Sequence, residues 1–387
     1  MKKYTKISSL LLLLLSLFAC TGTQNNKKVP NQSDSLSVKA EEIKFPFSDV
    51  LQLKSYYLSS SYSFDTIDVI VGYNYKTHAL DYIDLQNKEI SQVILNKEGP
   101  SAIVRLQGIF VQALDSVWLY DETDRAFLIN RKGDVLKKVN MREYIGENEQ
   151  ILVTTNRAIA TSHLHYDSNC DALSFLIKDT STSPVTFKVR KLFLSGKEKN
   201  VDYVLMPSVV EPDIDKGYAT MNQPNVSFGN GKIIYNYPIE SHLYFIDTMT
   251  GERKTIDADS KFTENKAQKC ESDADYSVWE RYGIENPHFY DIMLLSKYRL
   301  YARLHLGERD FDTTQSLDYL MHDRGLYLMI FDSDFNKMCE VELAKHRYGV
   351  FTGWVVIDDG IVLYNDNLLD TENNSEELIV DIIRPDK

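Results

Sequence analysis

A pair of β-rich runs joined by a tight turn recurs at least five times along this chain. Both runs are rich in Val, Ile, Tyr and Phe, and in the clear copies the second run ends in Asp or Asn ahead of a tight turn, which is the pattern of an antiparallel hairpin. The clear copies lie at 68–75 with 79–84, at 115–120 with 126–130, at 231–237 with 243–247, and at 326–332. Weaker copies lie at 158–166 with 173–177 and at 360–364 with 378–383.

The spacing of these hairpins predicts a closed ring. Asp84 and Asn130 end equivalent strands and lie 46 residues apart, which fits propeller blades of about 40 to 45 residues. Many short antiparallel strands expose unpaired edges unless repetition around an axis protects them. We therefore predict an all-β fold, a six-bladed β-propeller of four-stranded antiparallel blades. The rival is a β-sandwich, whose strands would not be grouped in hairpins at this period.

The first residues have the order of a secretory signal. Lys2, Lys3 and Lys6 precede a leucine-rich run at 10–17, and Ala19 places a small residue before Cys20. The run is shorter than the roughly 20 apolar residues that span a bilayer. The segment 17–20 resembles the lipobox of bacterial lipoproteins, with a bulky Phe at position 18. This resemblance implies cleavage before Cys20 and acylation of its thiol and amine.

Composition divides the chain into three parts. Residues 1–19 form the predicted signal peptide. Residues 20–44 are mostly Asn, Gln, Ser, Lys, Glu and Pro, which cannot bury enough apolar surface to offset the entropy of ordering, so they are predicted to be a lipidated flexible tether. Residues 45–387 form the predicted propeller domain.

Charge and cysteine content exclude several classes of function. The formal net charge is −13, and no basic stripe is dense enough to neutralise phosphates, which excludes a nucleic-acid partner. Cys170, Cys270 and Cys339 lie 100 and 69 residues apart, without the spacing of a metal knuckle or redox pair. Isolated thiols are favoured, although one pair could form a disulfide in an oxidising compartment.

Three segments carry a resemblance to a known family. They are the turn Glu98-Gly99-Pro100, the segment Asn286-Pro287-His288-Phe289-Tyr290, and the run Tyr298-Arg299-Leu300-Tyr301-Ala302-Arg303. With the hairpins, they resemble the six-bladed β-propeller lipoproteins of Bacteroidetes, a domain family of unknown function. The resemblance implies the same fold over most of the chain after the tether, and it brings no catalytic residues.

The chain lacks the common catalytic motifs. G-x-S-x-G, H-E-x-x-H and Walker A patterns do not occur, so no catalytic residue and no cofactor is predicted. His163 and His165 lie two apart on a predicted strand, which would place both imidazoles on one face. They are the candidate metal ligands, and a third ligand would have to come from another blade. The alternative is two polar residues at the end of a strand.

A polar stripe gives the candidate ligand-binding site. Arg299, Tyr301, Arg303 and His305 alternate with apolar residues, so a strand would present one cationic and aromatic face. We expect this face to line the central channel or a pocket at the end of the ring, where it would bind an anionic or sugar ligand. The alternative is that the arginines pair with carboxylates of neighbouring blades.

These features favour a non-catalytic binding or scaffold propeller attached to the membrane by its lipid, with an envelope protein or a glycan as partner. The alternative is a propeller hydrolase or lyase with a metal-assisted site at the central channel. A purely structural role in an envelope assembly is a third possibility. The residues after Cys20 lack the Asp that retains lipoproteins in the inner membrane, so the outer membrane is expected, facing the periplasm or the surface.

Overall fold

The computed structural model describes residues 36–272, 275–350, 352–372 and 376–386. The predicted signal peptide and Cys20 lie outside these residues. No helix in the described part of the chain is long and apolar enough to cross a membrane.

The described residues form six antiparallel sheets that follow one another along the chain. Blade 1 contains β2 (Ser59–Phe64), β3 (Ile67–Asn74), β4 (Ala79–Asp84) and β5 (Ile90–Ile94). Blade 2 contains β6 (Leu106–Ala113), β7 (Ser116–Asp121), β8 (Arg125–Ile129) and β9 (Val135–Asn140). Blade 3 contains β10 (Glu149–Leu152), β11 (His165–Asp167), β12 (Ala172–Asp179), β13 (Thr186–Phe193) and β14 (Val201–Val204).

The second half of the ring repeats this plan. Blade 4 contains β15 (Asn225–Gly229), β16 (Lys232–Asn236), β17 (Leu243–Asp247) and β18 (Arg253–Ile256). Blade 5 contains β19 (His288–Leu295), β20 (Leu300–Leu306), β21 (Leu326–Phe331) and β22 (Lys337–Glu342). Blade 6 contains β23 (Trp354–Ile357), β24 (Gly360–Tyr364), β25 (Glu377–Asp386) and β1 (Ser37–Pro46). Two short helices, α1 (Tyr276–Glu285) and α2 (Leu317–His322), lie beside blade 5 in sequence.

Contacts between the innermost strands close the ring. Strand β2 contacts both β6 of blade 2 and β23 of blade 6, and β19 contacts both β15 and β23. Six apolar clusters fill the six spaces between neighbouring blades. Each blade is therefore covered on both faces, and its strands send alternate side chains into two different interblade cores. The prediction of a six-bladed β-propeller is confirmed.

The predicted tether boundary is wrong. Residues 37–44, assigned to the flexible tether by composition, form most of β1 and pair with β25 in an unbroken antiparallel register from Ser37 opposite Asp386 to Pro46 opposite Glu377. They are polar because β1 is the outermost strand of blade 6, and most of its side chains are exposed. An edge strand whose side chains are mostly exposed to solvent has the composition of a linker, although its backbone is fully paired on one side.

The three cysteines of the propeller do not form disulfides with one another. Cys339 is buried in the core between blades 5 and 6, whereas Cys170 and Cys270 are half-buried. The favoured state of isolated thiols agrees with this arrangement.

Candidate functional site

The innermost strands of all six blades surround a central cavity of about 290 Å³, which we call the channel cavity. Its lining includes Ser60 of β2, Phe110 of β6, His165 of β11, Phe228 of β15, Asp291 of β19 and Val355 of β23. Because every blade contributes, no single segment of sequence contains this site.

Blade 3 departs from the plan of its neighbours at the channel. Strands β10 and β11 occupy the same edge of β12, so its innermost strand is interrupted by residues 153–164, which we call the blade 3 insert. Thr154 and Ser162 close the insert by reciprocal backbone hydrogen bonds of 3.1 and 2.8 Å. Gly108 of β6 makes room for it, since a Cβ atom there would lie 2.5 Å from Val153 Cγ1.

The blade 3 insert places Arg157 in the channel. The Arg157 Nη1 donates to Asp291 Oδ1 at 2.5 Å and to Thr161 Oγ1 at 2.8 Å, and the guanidinium carbon lies 3.9 Å from the ring centroid of Trp354. The other Asp291 oxygen lies 2.9 Å from His163 Nε2. Burial raises the pKa of Asp291, but the charge of Arg157 and the bond to His163 outweigh burial and leave it below its usual value. Arg157 and Asp291 therefore form a buried ion pair between blades 3 and 5.

The two candidate metal ligands do share the channel cavity, but they serve different purposes. His163 is bonded to Asp291, whereas His165 is stacked on Phe228 at 5.0 Å and meets the edge of Phe110 at 5.1 Å. Burial lowers the pKa of His165 to about 4, so its ring is neutral at pH 7. Among the described residues, no group of three or more His, Cys, Asp or Glu side chains is placed to hold a metal ion.

A second cavity, the end pocket, lies at the upper face of the ring, which we define as the end where the innermost strands begin. Its volume is about 170 Å³. It is enclosed by α1, α2 and the segments that precede the innermost strands of blades 4, 5 and 6, and Arg157 lines both this pocket and the channel cavity. Aromatic and aliphatic side chains dominate its lining.

A third cavity opens on the same upper face above blades 1 to 3. It measures about 1020 Å³, and we call it the tyrosine groove because Tyr57 and Tyr75 line it with 60% and 57% of their surface exposed. Six further lining residues are uncharged and polar: Gln107, Gln150, Thr154, Thr155, Asn156 and Gln223. The remaining uncharged ones are apolar or aromatic: Leu58, Tyr73, Leu106, Ile151, Leu152, Val153 and Ile159. Arg105 carries the one charge among the described residues that line the groove.

The predicted polar stripe is not at a cavity. Strand β20 is buried along its whole length, and Tyr301, Arg303 and His305 point into the space between blades 4 and 5, while the alternating leucines point toward blade 6. None of these three residues lines the three cavities described above. Arg299 precedes the strand, is exposed and has a left-handed backbone with φ 54°.

The stripe is polar for a structural reason. Arg303 donates to the carbonyl oxygens of Ser241 and Ala258 at 2.6 and 2.8 Å, and His305 lies 3.2 Å from the Glu340 carboxylate. The predicted location, on the channel or a pocket, is therefore wrong. The expected carboxylate partner is also wrong for Arg303, because backbone carbonyls receive its hydrogen bonds. Alternation in a propeller strand distinguishes two interblade cores and does not separate core from solvent.

The channel residues could not be assembled from sequence, although one of them left a signal. Asp291 stands alone as a charged residue inside the otherwise apolar run 289–295, and a buried carboxylate in such a run requires a partner. Its partner Arg157 lies 134 residues away in an insert that has no regular strand pattern. Tyr57 and Tyr75 gave no signal, since tyrosine is also common in buried strands.

The fold defines the chain as a six-bladed β-propeller with cavities at the channel and the upper face. The chain belongs to the family described as Domain of unknown function (DUF4221), whose model matches residues 33–342. The resemblance to the Bacteroidetes propeller family is confirmed by this match. No curated protein matches the chain.

Two solved structures share the fold. A DUF4221 family member from Bacteroides vulgatus ATCC 8482 superposes with a TM-score of 0.71 at 13% identity, covering 92% of this chain and 99% of that chain. A protein from Bacteroides fragilis NCTC 9343 that is classed as exported superposes with a TM-score of 0.56 at 15% identity, covering 92% of this chain and 97% of that chain. Both similarities concern the fold.

Proposed function

We propose that this chain is an exported, lipid-anchored propeller of the cell envelope that binds an oligosaccharide in the tyrosine groove without transforming it. The observation that carries the proposal is the pair of exposed tyrosines in a large groove whose lining combines amides and hydroxyls with aliphatic side chains. Sugars offer flat C–H faces that pack on aromatic rings and hydroxyl groups that bond to amides.

Three amides and one guanidinium in the groove are available for a ligand. The amides of Gln107, Gln150 and Gln223 have no hydrogen-bond partner within the described residues, and neither does the guanidinium of Arg105. Tyr57 and Tyr75 supply large rigid contact area at low entropic cost, because each has only two side-chain torsions to fix. These groups bond to water before binding. A ligand that forms hydrogen bonds with them therefore replaces those bonds, and the free-energy cost of removing the water is small.

Charge also favours an oligosaccharide over a basic protein partner. The chain contains 56 Asp and Glu residues, yet the described lining of the tyrosine groove includes no carboxylate. A basic partner would find no counter-charge among these residues, whereas a neutral or acidic glycan would meet amides, hydroxyls, aliphatic side chains and the positive charge of Arg105. The groove volume is at the upper end of the roughly 300 to 1,000 Å³ usual for ligand sites, which suits more than one sugar ring.

Export and anchoring belong to the same proposal. The leucine-rich run and Cys20 support secretion and acylation, and two or three acyl chains give stable attachment. A propeller held on a membrane by its N-terminal lipid would present the groove to glycans in the periplasm or at the surface. The outer membrane is the proposed location.

The test is binding without turnover. Native gels containing xylan, galactomannan or polygalacturonate should retard the purified chain, and calorimetry with a hexasaccharide of the retarding polymer should give one site per chain. Tyr57→Ala with Tyr75→Ala should weaken binding at least tenfold, because both stacking rings are lost. Tyr144→Ala is the matched control, since Tyr144 is 41% exposed and does not line the groove. Equal loss in the control, or cleavage of the hexasaccharide, would contradict the proposal.

A further inference from the structure

The end pocket has the size and the lining of a site for one small ring. Its volume of about 170 Å³ compares with the roughly 150 Å³ apolar cavity that takes up benzene. Met221, Tyr276, Trp279, Leu317, Met321 and Val350 contribute apolar surface to it. A ligand of one aromatic ring would fill this space and exclude water from its walls.

One wall of the end pocket carries a positive charge without a counter-ion. Arg324 is 4% exposed and donates to the carbonyl oxygens of Gly307, Gly283 and Asn286 at 2.7, 2.5 and 2.7 Å. Carbonyls satisfy its N–H groups but leave its charge in place, and it has no carboxylate partner within the described residues. Burial lowers the pKa of Arg324 to about 10, so the guanidinium is still charged at pH 7.

Two buried polar atoms of other lining residues have no partner within the described part of the chain. His288 is 3% exposed, and its Nε2 has no hydrogen-bond partner within the described residues; the same is true of Arg157 Nε. Burial lowers the pKa of His288 to about 3, with Arg324 and Arg157 acting in the same direction, so the imidazole is neutral. Buried polar atoms without partners are costly and uncommon in folded proteins, which indicates that a ligand completes the site.

The chemistry of these groups specifies an anion. Arg157 Nε–H and the Nε2–H tautomer of His288 are donors, and Arg324 adds attraction for negative charge. Among the described residues, the one carboxylate in the lining is that of Glu280 on α1, which is half-exposed and therefore solvated. A cation or a neutral ligand would leave the charge of Arg324 uncompensated.

We propose that the end pocket binds an aromatic monocarboxylate of one ring, with the ring among the apolar side chains and the carboxylate at Arg157 and His288. This site is separate from the tyrosine groove, and its ligand does not depend on the oligosaccharide proposed there. It would make the upper face of the ring a surface with two binding sites of different chemistry.

The experiment uses benzoate and 3-phenylpropanoate, with benzamide and benzylamine as neutral and cationic analogues. Calorimetry on the full propeller should give one site per chain for a carboxylate, with at least tenfold weaker binding of benzamide and no binding of benzylamine. Trp279 lines the pocket, so its fluorescence should change with the same dissociation constant. Equal binding of benzoate and benzamide, or no binding of either acid, would overturn the proposal.

Two variants separate this site from the fold and from the groove. His288→Phe removes the unpaired donor and keeps the ring shape, so stability should hold while benzoate affinity falls at least tenfold. Met321→Trp on the half-exposed face of α2 should fill the pocket and abolish binding. Neither variant should change saccharide binding, and Tyr57→Ala should leave benzoate binding intact. Benzoate binding that survives both variants would place the ligand elsewhere and overturn the proposal.

Discussion

Ile43 in β1 lies directly opposite Val380 in β25, so a strand near the start of the chain completes the sheet formed by its last strand. Phe45 of β1 is 1% exposed in the core between blades 6 and 1, and Leu36 is 7% exposed in the core between blades 5 and 6. This strand therefore completes blade 6 and joins the start of the chain to its end, although its composition is that of a linker.

Truncation at the N-terminus tests how much β1 stabilises the propeller. A mature chain that begins at Leu36 should keep its melting temperature, because all of β1 remains. A chain that begins at Phe45 should lose about 3 kcal/mol or more of unfolding free energy, since it loses the apolar contacts of Leu36, Val38 and Ile43 and most of the pairing with β25. Urea denaturation of the two chains gives the comparison. Equal urea midpoints for the two chains would mean that residues 36–44 do not stabilise the fold and belong to the tether.

The ring was predictable from sequence because hairpins are local. The runs at 68–75 and 79–84, for example, correspond closely to β3 and β4, and a turn between two β-rich runs encodes its own pairing. Strand β1 was missed because its partner is the last strand of the chain, more than 300 residues away. The pattern of a single edge strand is weak, and its pairing is a property of the closed ring.

The candidate sites were predictable only in part, for a related reason. His163 and His165 were placed in one region of the fold, and both line the channel cavity. Tyr301, Arg303 and His305 were misplaced because period-2 alternation does not tell a solvent face from a second core face. The Arg157–Asp291 pair joins two blades, and no local pattern specifies which blades meet across a channel.

Substitution of the two arginines of the stripe should have different effects on stability. Arg303→Met should lower the free energy of unfolding by about 2 kcal/mol or more, because the carbonyls of Ser241 and Ala258 would lose their donors in a dry core. Arg299→Met should stay within about 0.5 kcal/mol of the parent, since Arg299 is exposed. Chemical denaturation measures both. An unchanged free energy of unfolding in Arg303→Met would show that the buried guanidinium does not contribute to stability.

Acid should destabilise the propeller partly through His165. The pKa of His165 is lowered by burial to about 4, against about 6.5 in the unfolded chain. Below pH 6.5 the unfolded state therefore binds a proton that the folded state does not, so stability falls as the pH falls from about 6.5 toward 4. His165→Phe keeps the aromatic stacking and should recover about 2 kcal/mol of the loss between pH 7.5 and 5.0. At pH 8 the imidazole is neutral in both states, so this pH-dependent difference should vanish. If the stability of His165→Phe depends on pH in the same way as that of the parent, the lowered pKa of His165 is contradicted.

Membrane attachment should depend on Cys20 alone among the four cysteines. Cys20→Ala should abolish incorporation of labelled palmitate and release the protein from the membrane fraction, because the acyl chains are its proposed attachment. Cys270→Ala is the control and should stay acylated and membrane-bound, since its thiol belongs to the propeller. Label that remains on the Cys20→Ala protein would refute lipidation at this residue.

The last prediction concerns the ion pair that joins blade 3 to blade 5. Arg157 and Asp291 are 5% and 2% exposed and lie 2.5 Å apart. Removing one partner leaves a charge buried without its counter-ion, so Arg157→Met and Asp291→Asn should each lower the free energy of unfolding by about 3 kcal/mol or more. The double variant removes both charges, so its loss should be smaller than the sum of the two single losses by at least about 1.5 kcal/mol.

An exposed ion pair is the control for this double-mutant cycle. Arg281 and Glu285 lie one turn apart on α1 with a nitrogen–oxygen distance of 2.9 Å, and 59% and 34% of their side chains are exposed. Their coupling should be below about 0.5 kcal/mol, because solvent screens exposed pairs in helices. Coupling of equal size in the two cycles would mean that water reaches the channel pair freely. The blade 3 insert also has backbone hydrogen bonds to Val226 of blade 4, whose N–H donates to Thr161 O at 2.8 Å and whose carbonyl accepts from His163 N at 3.2 Å. A large coupling confined to Arg157 and Asp291 would indicate that charge, as well as these bonds, holds the insert in the channel and keeps Arg157 between the channel cavity and the end pocket.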